Sequence, residues 1–262
     1  RTSGRLSHTR PMLMVEAQGP ILFVRLNRPD VRNAFNDELI AVLTETFERI
    51  DRGVRAVVLA GEGKAFCAGG DLQWMRKASA YTEDENVRDA TQLARLFEAI
   101  AVCPALTIAR VQGAAFGGGC GLVSCVDVAI AEPAALFAFS EVRLGLIPAT
   151  ISRFVIPKIG PGNARWLFAT GEAFPAAVAQ RIGLVHEVVD TDQLDHAVAV
   201  KLEAVLKCGP YAVEQAKRLV LDGPLSIEES ARRLAATRAS EEAQEGVAAF
   251  LDKRQASFVV TP

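Results

Sequence analysis

Short apolar runs alternating with amphipathic stretches predict an α/β fold of near-parallel strands, followed by a helical C-terminal region. Three observations carry this. Val54–Ala60 (VRAVVLA), Leu106–Val111 and Val126–Ala131 are almost continuously apolar, as expected of strands covered on both faces. The stretches between them carry apolar residues at helical spacing. Beyond about Pro148, strand signals thin out and helix-start signals multiply.

The elements follow in order. Met12–Ala17 and Ile21–Leu26 are β-prone runs split by Gly19-Pro20 and read as a hairpin. Asn36 is placed to cap a helix whose first turn holds Asp37 and Glu38 and whose buried stripe is Leu39, Leu43, Phe47 and Ile50. Thr82 and Glu85 form a capping-box pair that opens a second helix, with Val87, Ala90, Leu93, Phe97 and Ile100 on one face. Gly113–Gly121 is a glycine-rich turn into a short helix around Leu122. Residues 12 to 131 thus read β-β-α-β-α-β-α-β, an α/β layering. Ala164–Ala169, Ala176–Arg181 and Leu194–Leu206 look helical, with a strand-like insert at Leu184–Val189. Pro210, Ser226 and Ser240 start three more helices. The expected organisation is a disordered or tag-like segment over 1–11, a core over 12–200 and a helical region over 201–262. Leu72–Asn86 is expected to be mobile.

Composition excludes several function classes. The 29 basic and 31 acidic residues leave a formal charge of −2, without the basic excess of a nucleic-acid binder. The longest apolar stretches, such as Ala114–Ser124, are too short to span a bilayer, so no membrane partner is expected. Five cysteines without a CxxC pair argue against a disulfide framework or a zinc site, and no metal is expected. Cys67 and Cys120 have no activating group nearby in sequence and read as packing residues. The three histidines, absent a GxSxG elbow, make a Ser-His-Asp hydrolase a poor reading, and His186 reads as structural. There is no GxxxxGK[ST] element, and the glycine loops carry no GxGxxG dinucleotide fingerprint.

Two loops and one carboxylate remain. Lys64–Leu72 (KAFCAGGDL) and Gln112–Gly121 (QGAAFGGGCG) each follow a buried strand, and glycine lets backbone N–H groups converge there. Two converging N–H donors form an oxyanion hole, where one donor can contribute about 3–4 kcal/mol. Tight helix–sheet packing accounts for Gly117–Gly119 equally well. Glu141 lies just after the apolar run Ala134–Phe139, where an unpaired carboxylate is unusual. It is either an acid/base with a raised pKa or the ion-pair partner of Arg143 or Arg153. Trp74 and Met75 belong either to an acyl pocket or to the core.

AFCAGGDL (65–72), QGAAFGGGCGL (112–122), SEVRLGLIPA (140–149) and Asn27-Arg28-Pro29 with Asn33-Ala34-Phe35 resemble, in order and spacing, the motifs of the enoyl-CoA hydratase/isomerase (crotonase) family. The resemblance covers roughly Met12–Phe258. It implies a crotonase-type spiral of ββα units with a C-terminal helical trimerisation region, trimers often paired into hexamers, and a coenzyme-A thioester substrate with no separate cofactor. It implies catalytic Glu141 and a thioester oxygen held by the N–H groups of Gly70 and Gly118. It implies CoA contacts at Arg32, Ala34, Ala65, Ala68, Asp71 and Leu72, with Lys253 reaching the phosphates of a neighbouring subunit's ligand. The compartment implied is the bacterial cytoplasm, or the mitochondrial matrix in a eukaryote.

One departure matters. Typical family hydratases have a second glutamate after the GGG-x element, and here that position is Gly121. Asp127 is close by in sequence but falls on a position that is usually structural. Residues 117–160 most resemble methylglutaconyl-CoA-hydratase-like members, and Pro148–Ser152 replaces a more usual Gly-rich segment. The expected function is hydration of a branched 2-enoyl-CoA by Glu141. The alternatives are double-bond isomerisation by Glu141 alone and a non-catalytic CoA-binding scaffold.

Overall fold

The computed structural model describes residues 10–260, so most of the expected N-terminal segment lies outside the described residues. A hairpin of β1 (Leu13–Gln18) and β2 (Ile21–Leu26) opens the chain. Then come α1 (Asp37–Glu48), β3 (Ala56–Gly61), α2 (Leu72–Ala78), α3 (Glu83–Ala101) and β4 (Leu106–Val111). They are followed by β5 (Ala114–Phe116), α4 (Gly118–Cys125), β6 (Val128–Ala131), β7 (Leu136–Ala138) and α5 (Ala149–Thr170). The chain continues through β8 (Ala173–Pro175), α6 (Ala176–Arg181), β9 (Glu187–Val188) and α7 (Leu194–Leu206), and closes with α8 (Pro210–Leu221), α9 (Ile227–Arg238) and α10 (Glu241–Leu251).

The main sheet has the order β1-β2-β3-β4-β6-β9, parallel throughout except for the β1–β2 hairpin. One face packs on α1, α3, α4 and α5. The other buries Ala56, Val58, Ile108 and Ile130 under Leu194, Val198 and Leu202 of α7. That two-sided cover is why these strands read as continuous apolar runs. The expected division at residue 200 falls inside α7, which belongs to the packing of the core.

The expected caps are in place. The Asn36 side chain accepts the Leu39 N–H at 2.9 Å. Thr82 and Glu85 form a reciprocal capping box. Ser226 and Ser240 each accept an N–H three residues on, opening α9 and α10. Three features go beyond the sequence reading. The first half of α3 stands clear of the core, so Val87 is exposed although Phe97 and Ile100 on the same face are buried. Leu72–Ala78 is a helix, because the Asp71 carboxylate caps it by accepting the Gln73 and Trp74 N–H groups. A second sheet, β5-β7-β8, is built of three-residue strands too short to give a periodic signal.

The C-terminal helices are tied down by cations that donate to backbone carbonyls. Arg55, buried at the start of β3, donates to the carbonyls of Phe258, Val205 and Cys208. Lys217 of α8 donates to Cys103 and Ala105 at 2.6 Å and pairs with Asp127 at 2.7 Å. Arg55→Met should therefore lower stability by about 2 kcal/mol, read by chemical denaturation, since charged-donor bonds to buried carbonyls would be lost. Among the described residues no helix is long and apolar enough to cross a membrane.

Candidate active site

The two glycine loops are joined by their backbones. Loop 64–71 runs parallel to β5, with Phe66 N–H donating to Gln112, Cys67 N–H to Ala114 and Phe116 N–H to Cys67. Gly69 is packed so closely that an added Cβ would lie 3.0 Å from the Phe116 carbonyl oxygen. Gly119 lies tighter still: its Cβ would meet the Cys67 carbonyl oxygen at 2.2 Å. Of the two readings weighed from sequence, close packing of the loops is present at both Gly69 and Gly119. Glycine is needed because the loops touch.

The Asn-Arg-Pro and Asn-Ala-Phe segments scaffold this junction. Asn33 donates to the carbonyls of Glu62 and Ala65 at 2.9 and 2.8 Å. Arg28 donates to the Ala34 carbonyl and pairs with Asp71 at 2.8 Å. Burial alone would raise the Asp71 pKa, but N–H bonds from Gln73 and Trp74 and the Arg28 guanidinium outweigh it and hold the pKa low. Arg32 and Asn33 take left-handed backbone angles, φ 52° and 56°, an uncommon conformation held by these bonds.

Among the described residues neither the Gly70 nor the Gly118 N–H donates to a protein acceptor. Gly118 is the first residue of α4, so its N–H also carries the positive end of the helix dipole. Phe35 N–H donates to Gly69 at 2.7 Å and its carbonyl accepts from Asp71 at 2.8 Å, bracketing Gly70.

Glu141 sits in a 3-10 turn, Ser140–Leu144, that follows β7. Gly117 N–H donates to Ala138 at 2.8 Å, which holds that turn beside the second loop. A Cβ added to Gly117 would be 3.3 Å from Glu141 Oε1. Glu141 Oε2 is buried and among the described residues has no hydrogen-bond partner. Among the described residues neither Arg143 nor Arg153 pairs with Glu141, and Arg153 pairs with Glu98 at 2.8 Å instead. Desolvation pushes the Glu141 pKa up, partly offset by a backbone hydrogen bond. A carboxylate kept partly dry and unpaired is suited to moving a proton.

Gly69 packs on Phe116 and Gly117, and Gly117 borders Glu141, so the loops that carry Gly70 and Gly118 and the turn that carries Glu141 adjoin. Ala68 N–H donates to Arg32 at 3.0 Å, so the two segments expected to border CoA are neighbours. Leu72 is 82% exposed at the start of α2, and Trp74 and Met75 lie 3.4 Å from the Cβ position of Gly70. Trp74 also packs on the core, as one of its two readings expects. Lys253 is exposed beyond α10, far along the chain from either loop. Asp127 is structural, accepting from the Thr107 N–H and hydroxyl at 2.7 and 2.8 Å. His186 Nδ1 accepts the Ala129 N–H at 3.0 Å, also a structural use. Burial raises the Cys67 thiol pKa to about 12, which keeps it unreactive.

Sequence placed Phe35 in a motif and Phe97 on a helix face but linked neither of them, nor Ile151, to the second glycine loop. All three are buried against the glycines of α4. A Cβ at residue 121 would lie 2.4 Å from Ile151 Cγ2 and 2.8 Å from the Phe97 ring. Gly121 thus stands where there is no room for a glutamate. Gly121→Ala should destabilise by about 1–3 kcal/mol through overpacking. With Ile151→Ala in the same chain, a denaturation double-mutant cycle should recover more than about 1 kcal/mol of that loss.

The family model for enoyl-CoA hydratase/isomerase matches residues 16–260. The chain belongs to the enoyl-CoA hydratase/isomerase family. Its relatives include the crotonyl-CoA hydratase of Syntrophomonas wolfei, 33% identical over 94% of this chain and 97% of that protein. Its fold matches the crystal structure of an enoyl-CoA hydratase from Shewanella pealeana, with TM-score 0.90 and 38% identity over 94% of this chain and 96% of that one. Pseudomonas aeruginosa AtuE aligns with TM-score 0.91 and 36% identity over 95% of this chain and all of that one. The hydratase/isomerase family is one of enzymes, which sets aside the reading as a non-catalytic scaffold.

Proposed function

We propose that this hydratase/isomerase adds water reversibly across the 2,3 double bond of a branched enoyl-CoA thioester, using Glu141 as its single acid/base. The observation that carries the reading is the lone carboxylate of Glu141. It is raised in pKa, lacks a protein partner at Oε2 and borders the loop that presents the Gly118 N–H. In this reading the thioester oxygen accepts from Gly70 and Gly118. Glu141 takes a proton from water as the water oxygen bonds to C3. The double-bond electrons move onto the thioester oxygen as an enolate. Glu141 then returns the proton to C2, completing a syn addition.

The branched preference draws its support from the likeness of residues 117–160 to methylglutaconyl-CoA-hydratase-like members. The second reading, isomerisation, is favoured by the crowding at Gly121. Shifting a proton between C2 and C4 needs one base and no second carboxylate. CoA itself enters as part of the substrate, along Arg32–Ala34 and Ala65–Ala68. Trimers, or trimers paired into hexamers, fit the exposed apolar residues of the C-terminal helices, among them Val220, Ile227 and Phe250. Lys253 would then meet a neighbouring subunit's ligand. The test is loss of the conjugated enoyl-thioester absorbance with a panel of enoyl-CoAs that includes 3-methylglutaconyl-CoA. Loss of absorbance supports hydration. Gain of absorbance from a 3-enoyl-CoA, with no loss from any 2-enoyl-CoA, replaces it with isomerisation.

A further inference from the structure

Phe35 touches both halves of the site in different ways. Its backbone brackets Gly70, with the N–H donating to Gly69 at 2.7 Å and the carbonyl accepting from Asp71 at 2.8 Å. Its ring lies against the other loop, where a Cβ on Gly118 would meet Phe35 Cε2 at 2.6 Å and Cδ2 at 2.9 Å. The ring is itself held from behind by Phe97, edge to face, with centroids 6.4 Å apart. Phe35 is 1% exposed and Phe97 is fully buried, so neither ring has room to retreat. One rigid residue therefore spans from the backbone that carries one N–H donor to the backbone that carries the other.

We propose that Phe35 is a positioning residue that fixes the separation and aim of the Gly70 and Gly118 N–H groups. This rests on the reading of those groups as the thioester-oxygen site. An oxyanion hole acts through donors held in advance at hydrogen-bond distance from the developing charge. A smaller side chain at residue 35 leaves the backbone bracket intact but removes the surface that α4 rests on. The Gly118 N–H then drifts relative to that of Gly70.

Phe35→Leu keeps an apolar side chain in the core and is the variant to make. Phe47→Leu makes the same change in α1, outside both loops, and serves as the control for lost packing. Two readouts apply. One is steady-state kinetics. The other is the absorbance of bound cinnamoyl-CoA, whose conjugated band moves to longer wavelength as its carbonyl is polarised. Phe35→Leu should lower kcat by about tenfold to a hundredfold with KM within about twofold, and should reduce the red shift of the bound thioester. Phe47→Leu should leave both nearly unchanged at a comparable loss of thermal stability. A Phe35→Leu protein that is less stable but keeps the wild-type kcat and red shift overturns the proposal. The two failures are separable. A wild type that binds cinnamoyl-CoA without any red shift sinks the thioester-oxygen site, and Phe35's role with it. A normal red shift without hydration sinks only the hydratase reading and leaves the Phe35 comparison intact.

Discussion

Glu141→Gln should lower kcat for hydration by about three orders of magnitude while leaving acyl-CoA binding within a few-fold of wild type. General acid/base groups contribute roughly a hundredfold to ten-thousandfold. A loss well above the lower end of that range is expected because residue 121 is glycine and supplies no second carboxylate to take over. Glutamine keeps the shape and loses the proton-transfer function. Stopped-flow loss of enoyl absorbance, with calorimetric binding of a saturated acyl-CoA, separates the two effects. An equal loss in binding would instead assign Glu141 to substrate positioning.

The same residue makes two pH predictions. In the proposed role of base toward water, Glu141 must be ionised. Its raised pKa therefore places the acid limb of kcat/KM above the ordinary carboxylate range, with activity lost as pH falls through it. Stability runs the other way. The folded state holds this proton more tightly than the unfolded chain, whose value is about 4.5. The contribution to stability is thus full below that pH and declines as pH climbs toward the folded value. Glutamine has no proton to lose. The Tm of Glu141→Gln relative to wild type should rise between pH 4 and pH 8, and a flat difference would mean that burial does not strain the carboxylate. Function and stability conflict at this residue, as expected where a charge is kept partly dry for chemistry.

What sequence could reveal was set by the range of the interaction. Val54–Ala60 and Leu106–Val111 were legible because cover on both faces erases polar residues from a strand. Asn36, Thr82, Ser226 and Ser240 were legible because a cap acts within three residues. Glu141 stood out as a carboxylate next to an apolar run. The three-residue strands β5, β7 and β8 were missed, since their pairing is non-local and leaves no period. Val87 was placed on one face with Phe97 and Ile100, because α3 keeps its pattern past the point where the core ends. Gly121 was visible as a departure from the family pattern, but its cause was not. Ile151 and Phe97 arrive from 30 and 24 residues away along the chain, and only the fold puts them against α4. The Arg28–Asp71 pair belongs to the same class, a contact across 43 residues that ties the first motif to the first glycine loop.

The second large effect is expected at Gly118. Gly118→Ala should lower kcat by about a hundredfold to a thousandfold, the usual loss when one oxyanion donor is misplaced. The new methyl group would sit 2.6 Å from the Phe35 ring, well inside van der Waals contact. Phe35 cannot yield, because its backbone is bonded to Gly69 and Asp71 and Phe97 stands behind its ring. The first turn of α4 must move instead, and the Gly118 N–H moves with it. Gly70→Ala is the informative contrast. There the nearest atoms, in Met75 and Trp74, lie at 3.4 Å, an ordinary contact, and φ is not in the left-handed region. That variant should fold with near-wild-type stability and keep its N–H in place, changing acyl preference more than kcat. If the two alanines instead gave equal losses in kcat, displacement of the helix could not be the cause. Glycine at both positions would then serve access of the thioester to the N–H groups.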